Sequence, residues 1–373
     1  MGWSRDAIRV LEELVRIPSI NPPGTDPEIA YYISRFFESK GFSPRLIEVD
    51  MEGITMYNVI VESGRGRPAL IFNGHHDVVP PGEGWETDPF KPVVKDGFMY
   101  GRGTADMKSG LASMMVAFVK AAEEPIEGKL IFAAVADEEG DSSHGTKYLL
   151  ERGILRGDYA IVGESTNFNI VIARKGVIWL RIVARGVSAH AHSPGRGVNA
   201  ITRMARIIDA ISTLSFPESH ELLGEVTITP TMIRGGVNVN IVPDSCTLTL
   251  DVRTIPNIGE QRILSAIGER IGELGVEHEI RVDTVVPSHE VDRDSLLVRK
   301  VVEAVEKVRG SRPKLIGRRG SSDAVFFSAN GIPAVDIGPR GRDSHSSHEN
   351  VELETVPLIA EVYREIALRI LSG

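Results

Sequence analysis

Three uninterrupted apolar runs, at 69–72, 130–135 and 159–162, constrain this chain more than any other feature. A strand with one wet face alternates apolar and polar residues, whereas a run without polar interruption needs cover on both faces. Helical stretches at 107–122 and 145–152 separate these runs. A further strand-like segment at 56–61 precedes them. Before it, apolar residues recur at helical spacing, as Ile8, Leu11 and Val15 and then as Ile29, Ile33 and Phe37. Alternating strands and helices predict an α/β domain with a mostly parallel sheet flanked by helices. Ligands of such sheets bind beyond the carboxyl ends of the strands, so the polar residues after each run are the first candidates for function.

The pattern changes near residue 177. Ile178, Leu180, Ile182 and Ala184 alternate with Trp179, Arg181, Val183 and Arg185, which reads as a half-exposed strand. A helix with Ile201, Met204, Ile208 and Ile211 on one face follows, then strands at 225–233 and 246–253. A second helix carries Ile263, Ile267, Ile271 and Leu274, and a strand covers 277–286. That order is β-α-β-β-α-β, the ferredoxin-like arrangement. The earlier kind of pattern resumes after Pro287, ending in a strand at 334–337 and a helix at 353–371. At 373 residues the chain exceeds the size at which one core usually divides. The expected organisation is a first domain of 1–175 and 287–373 with 176–286 inserted into it.

Composition narrows the classes of partner. A formal charge of -9 argues against nucleic acid, whose binders carry a basic excess. No run approaches the roughly 20 apolar residues of a membrane span. The first six residues lack an apolar signal core, and Asp6 stands where a myristoylation site wants Ser or Thr. Cys246 is the only cysteine, so no intrachain disulfide can form. The expected setting is the cytoplasm.

Polar clusters stand at or just after the strand ends. His75 and Asp77 lie in Gly74-His75-His76-Asp77, and Asp106 in Gly103-Thr104-Ala105-Asp106-Met107-Lys108. The acidic run Asp137-Glu138-Glu139, then Glu164, then His345 in a late loop complete the set. Singly, each has an ordinary reading. A strand-end histidine is more often hydrogen-bonded than metal-bound, Asp106 suits a helix N-cap, and an acidic run suits a solvated loop. Their shared address at one rim of the sheet points instead to a common centre. Two histidines and three carboxylates are a natural set for two divalent cations with one carboxylate bridging. Imidazole with carboxylate suits zinc, with cobalt or manganese as substitutes. Asp77, two residues from His75, is placed to orient its imidazole.

These segments resemble the di-zinc amidohydrolase and exopeptidase family that includes acetylornithine deacetylase, succinyl-diaminopimelate desuccinylase, aminoacylase and bacterial glutamate carboxypeptidase. The likeness runs from Arg16-Ile17-Pro18-Ser19-Ile20-Asn21-Pro22-Pro23 through GHHDVVP, GRGTADMKSG, ADEEG and VGES to the C-terminal His-x-x-x-Glu loop. By resemblance, His75 and Glu164 serve one metal, Glu139 and His345 the other, and Asp106 bridges them. Glu138 is then the general base and Asp77 the residue that orients His75. The peptide after Asp106 is implied to be cis. The family usually has Asn or Asp before the final glutamate, whereas this chain has His348 before Glu349, so His348 is a rival to His345. His76 is expected to point to the opposite face of its strand.

The resemblance also assigns the insertion, as a lid and dimerisation domain. His190 in Gly186-Val187-Ser188-Ala189-His190 would stabilise the oxyanion, with His192 as its rival. Asn240, Arg253, Ser322 and Asp323 match positions that contact substrate or line its pocket. The nearest ordinary readings are a salt-bridged strand residue for Arg253 and a helix cap for the Ser322-Asp323 pair. Arg253, Arg174, Lys175 and Arg340 are the candidate cations for a substrate carboxylate. The implied substrate is an N-acyl amino acid or a small peptide, and the implied assembly a homodimer formed through the insertion.

Overall fold

The computed structural model describes residues 2–24, 27–51, 53–140 and 142–372. The chain divides into two compact units, residues 1–172 with 291–316 and 322–373, and residues 173–290 with 317–321.

In the first unit the strand order is Arg45–Met51, Ile54–Gly64, Lys129–Val135, Ala69–His75, Tyr159–Val162, Ala334–Asp336, Ile170–Arg174. The four strands from Lys129–Val135 to Ala334–Asp336 are mutually parallel. The margins are antiparallel: Arg45–Met51 and Ile54–Gly64 form a hairpin that joins Lys129–Val135, and Ile170–Arg174 runs against Ala334–Asp336. Every residue of Ala69–His75 is buried, as an uninterrupted apolar run requires. Successive side chains leave on opposite faces. Phe72 meets Tyr363 of helix Thr355–Leu371, and Phe132 meets Phe37 and Phe118. Ile71, Ile131 and Ala133 pack with Leu149 and Phe327 on the other side.

Two local features deliver the functional loops. Strand Asn350–Glu352 pairs antiparallel with Phe98–Tyr100, which sets the 343–349 loop beside the 101–106 loop. Helix Lys108–Ala122 starts against the end of Tyr159–Val162, and a Cβ on Gly110 would lie 1.8 Å from the Gly163 carbonyl oxygen. Only glycine permits that approach. Gly110→Ala is therefore expected to cost about 3 kcal/mol, the upper end of ordinary overpacking, read as a lowered Tm or denaturant midpoint.

The second unit has a four-stranded antiparallel sheet in the order Thr227–Gly235, Ser245–Thr254, Gly176–Arg185, His278–Val286. With helices Ala200–Ser212 and Glu260–Gly272 this is the ferredoxin-like arrangement. Ser245–Thr254 alternates strictly between half-buried and buried positions. Its inner face joins Ile178, Leu180 and Ile182 in a core closed by Met204, Ile207, Ile211, Ile263, Ile267 and Ile271. One residue departs from expectation. Ile201 is exposed, and the inward stripe of its helix is Ala200, Met204, Ile207 and Ile211, because the helix begins at Ala200 with Asn199 capping it. Among the described residues no helix is long and apolar enough to cross a membrane.

Candidate metal centre

His75 closes the buried strand Ala69–His75 with only 1% of its surface exposed. Its Nδ1 faces the Asp77 backbone carbonyl at 2.9 Å and must donate to it, which leaves Nε2 directed into the centre. There Nε2 lies 3.2 Å from Asp106 Oδ1, 3.6 Å from Glu164 Oε1 and 3.9 Å from Glu138 Oε2. His345, in the left-handed region at φ 66°, brings its Nε2 to 3.3 Å from Asp106 Oδ2 and 3.1 Å from Glu139 Oε1. The two oxygens of one carboxylate thus face two different imidazoles. Donor atoms of His75, Asp106 and Glu139 all lie within 4.8 Å of one another.

Charge balance tests whether cations fit. Four carboxylates, Asp106, Glu138, Glu139 and Glu164, surround two imidazoles. Burial disfavours the imidazolium of His75, yet hydrogen bonds to Asp106, Asp77 and Glu164 outweigh it and raise its pKa well above the usual value. His345 is pushed up to about 10 by its bonds to Asp106 and Glu139. Burial, reinforced by Glu164, Asp323 and Glu139, raises the Glu138 carboxyl well above the carboxylate range. All three shifts favour the protonated form, as expected where four carboxylates meet two imidazoles. Oxygen and imidazole donors in such a set fit divalent cations of the zinc, cobalt and manganese group.

Asp77 does more than face His75. Its Oδ1 lies 3.5 Å from His75 Nδ1, while the shorter bond from that nitrogen goes to the Asp77 backbone. The carboxylate also accepts from the backbone N–H groups of Glu138 at 3.3 Å and Glu139 at 3.1 Å, and from Asn21 Nδ2 at 2.9 Å. Asn21 reaches on to Asp137 Oδ1 at 3.0 Å, and Asp137 in turn accepts from His144. One buried carboxylate therefore anchors the loop that carries two of the acids. The peptide between Asp106 and Met107 is cis.

His76 and the rival His348 lie elsewhere. His76 is buried and donates from Nε2 to the Tyr57 carbonyl at 2.9 Å, and burial lowers its pKa to about 4. His348 lines a separate cleft of about 410 Å³ with Trp85, Lys95 and Tyr100. Ser322 and Asp323 are buried with internal partners. Ser322 donates to Asp336 at 2.6 Å, and Asp323 accepts from Thr146 at 2.7 Å and Ser142 at 3.2 Å. Arg340 is paired with Glu352 at 2.9 Å.

In the second unit, His190 and Asn240 share one short ribbon, with His190 opposite Ile241 and the Asn240 carbonyl accepting from Ala191. His190 is exposed, its ring edge-on to His192 with centroids 4.3 Å apart. Arg253 makes a two-point pair with Asp251 at 2.8 and 3.0 Å. Arg174 donates to the Gly320 and Ser321 carbonyls, and Lys175 to the Glu225 carbonyl.

Sequence reasoning missed Asn21, Asp137, Arg102 and Glu349 as parts of the centre's support. All four stood inside recognised motifs, which was the available signal: Asn21 in the segment 16–23, Arg102 in GRGTADMKSG, Asp137 in ADEEG and Glu349 in the His-x-x-x-Glu loop. The residue type of Arg102 does not announce that it is buried, as it is.

This fold, with a carboxylate shared between two imidazoles, defines the class of metal-dependent amide-bond hydrolases. The sequence pattern described as peptidase family M20/M25/M40 matches residues 71–369, and the chain belongs to that family. It is 31% identical over 372 residues to a succinyl-diaminopimelate desuccinylase of Nautilia profundicola, covering 97% of this chain and 98% of the relative. Among solved structures, aminopeptidase PepT of Bacillus cereus superposes with a TM-score of 0.79 at 26% identity, over 98% of this chain and 99% of that one. Bacillus subtilis YXEP, described as a dinuclear metal-binding peptidase of the M20 family, has the same fold at 18% identity and a TM-score of 0.76, over 99% of each chain.

Proposed function

We propose that this enzyme hydrolyses the amide bond of an N-acyl amino acid, with N-succinyl-diaminopimelate as its first candidate substrate. The observation that carries the reading is Asp106, whose two oxygens each face one imidazole while Glu138 stands beside His75. His75, Asp106 and Glu164 would hold one cation and Asp106, Glu139 and His345 the other, zinc in both by our proposal. Such a pair supplies Lewis acidity and lowers the pKa of water.

The protein's own groups do the rest. Glu138 takes the proton of the attacking water and returns it to the leaving amine nitrogen. Asp77, through the backbone of Glu138 and Glu139, keeps base and ligand in register. His190 donates to the oxyanion, and Asn240 and Arg253 bind the remainder of the substrate. His190→Ala is expected to lower kcat by on the order of 10²–10³-fold with metal content unchanged, as for loss of one oxyanion donor. Loss of metal in that variant would contradict the role.

The desuccinylase name of the relative supports the succinyl substrate. A second reading, cleavage of small peptides, draws on the likeness to PepT at 26% identity. A panel of N-succinyl-diaminopimelate, N-acetylornithine, dipeptides and tripeptides decides, run with added zinc, cobalt or manganese and a chelator control. A kcat/KM for the peptides above that for the acylated substrates would favour the second reading.

The second unit is also our candidate for a homodimer interface. Its edge strand Thr227–Gly235 exposes Met232 and Ile233, and Val237 and Val239 stand almost fully free. An unpaired apolar strand edge invites pairing with a second copy. Solution scattering should give a dimer, and a fully active monomer would overturn that assembly. A cytoplasmic site of action is likewise proposed, and cell fractionation checks it.

A further inference from the structure

We propose that the buried pair Arg102 and Glu349 positions both halves of the metal centre, holding Asp106 through its backbone and tying the His345 loop to it. The inference rests on reading Asp106 and His345 as ligands. Glu349 is fully buried, and its Oε1 accepts from two consecutive backbone N–H groups, Ala105 at 3.0 Å and Asp106 at 3.1 Å. Two donors on one oxygen fix the orientation of that peptide, and with it the direction from which the Asp106 side chain leaves. Glu349 Oε2 is paired with Arg102 Nη1.

The two Nη groups of the guanidinium also reach two other loops. Nη1 also reaches the Ser346 carbonyl at 3.3 Å, one residue beyond His345. Nη2 reaches the carbonyls of Pro81 at 3.1 Å and Pro80 at 3.4 Å, on the segment that leaves His75 and Asp77. Trp85 covers the guanidinium at 5.3 Å and donates from Nε1 to the Pro81 carbonyl at 2.8 Å. Three loops, carrying His75, Asp106 and His345, meet at one planar cation. Lysine has the charge but not the fork. Glutamine has the shape of glutamate, but when its oxygen faces the two N–H groups its amide faces Arg102 donor to donor.

A pair that only staples the fold would lower stability and leave metal binding alone; a positioning pair changes the metals. The test compares wild type, Glu349→Gln and Arg102→Lys as full chains stripped of metal. Zinc affinity is read by competition with a chromophoric chelator, Tm is read on the stripped proteins, and kcat and KM are read after reloading. Glu349→Gln is expected to weaken both zinc ions by about 10–100-fold, the usual effect of losing a partner behind a ligand. Its kcat falls while KM stays within about twofold, since neither residue is placed against substrate. Arg102→Lys weakens the ion on the Glu139–His345 side more than the other. Zinc affinities and kcat equal to wild type, with only Tm lowered, overturn the proposal. If Glu349→Gln does not fold, Arg102→Lys decides on the same criterion. Failure of wild type to bind zinc would instead overturn the metal reading, visibly and before any variant is compared.

Discussion

Glu138→Gln is expected to keep the wild-type metal content and lose nearly all turnover. Glutamine preserves the volume of the side chain and leaves the two backbone bonds that Asp77 accepts from Glu138 and Glu139, so the loop and its ligand stay in place. What disappears is the only function proposed for the group, accepting and returning a proton. General acid–base catalysis contributes on the order of 10²–10⁴-fold, and kcat should fall within that range. Burial and the neighbouring acids Glu164, Asp323 and Glu139 raise the Glu138 carboxyl in the metal-free protein, which favours its taking up a proton. Metal analysis and steady-state kinetics on the same preparation check the prediction. Retained activity with full metal content would move the base to another residue.

Asp106→Asn should have the second large effect, through the metals themselves. Wild-type Asp106 offers one oxygen toward His75 and the other toward His345. Asparagine has a single oxygen, so one side of the centre keeps an acceptor and the other meets an amide N–H₂. The expected stoichiometry falls to one ion per chain or fewer. Charge stabilisation by a catalytic metal is worth several kcal/mol, which corresponds to a loss of about 10³-fold or more in kcat/KM. Two ions retained at wild-type affinity would show that Asp106 is not shared between them.

The parts of this centre that follow a buried strand were readable from the sequence, because a strand covered on both faces announces itself as an unbroken apolar run. His75 stands three positions past one such run, Glu164 two past another, and Asp137 two past the third. The parts that depend on pairing across the chain were not readable. Arg102 and Glu349 are separated by 247 positions, and neither residue type suggests burial. The Asp77 carboxylate illustrates a subtler limit. Its spacing from His75 pointed to a bond with the imidazole; Oδ1 does lie 3.5 Å from that ring, but the backbone carbonyl of the same residue takes the shorter bond, and the carboxylate also holds the Glu138 loop, which spacing did not suggest. Sheet polarity shows the same limit, since strand type is local while parallel or antiparallel pairing is decided by the route between strands. In the second unit the alternation of Ser245–Thr254 was plain, yet the facing helix turned Ile201 outward because its cap at Asn199 sets the phase.

The central claim is that one carboxylate holds two cations and that amide hydrolysis needs both. Its most direct test is a titration of the stripped enzyme with zinc, following release of succinate from N-succinyl-diaminopimelate and bound metal per chain together. The account predicts two bound ions per chain and full turnover only when the second site is filled. Full turnover with one ion bound, or with none, would contradict it.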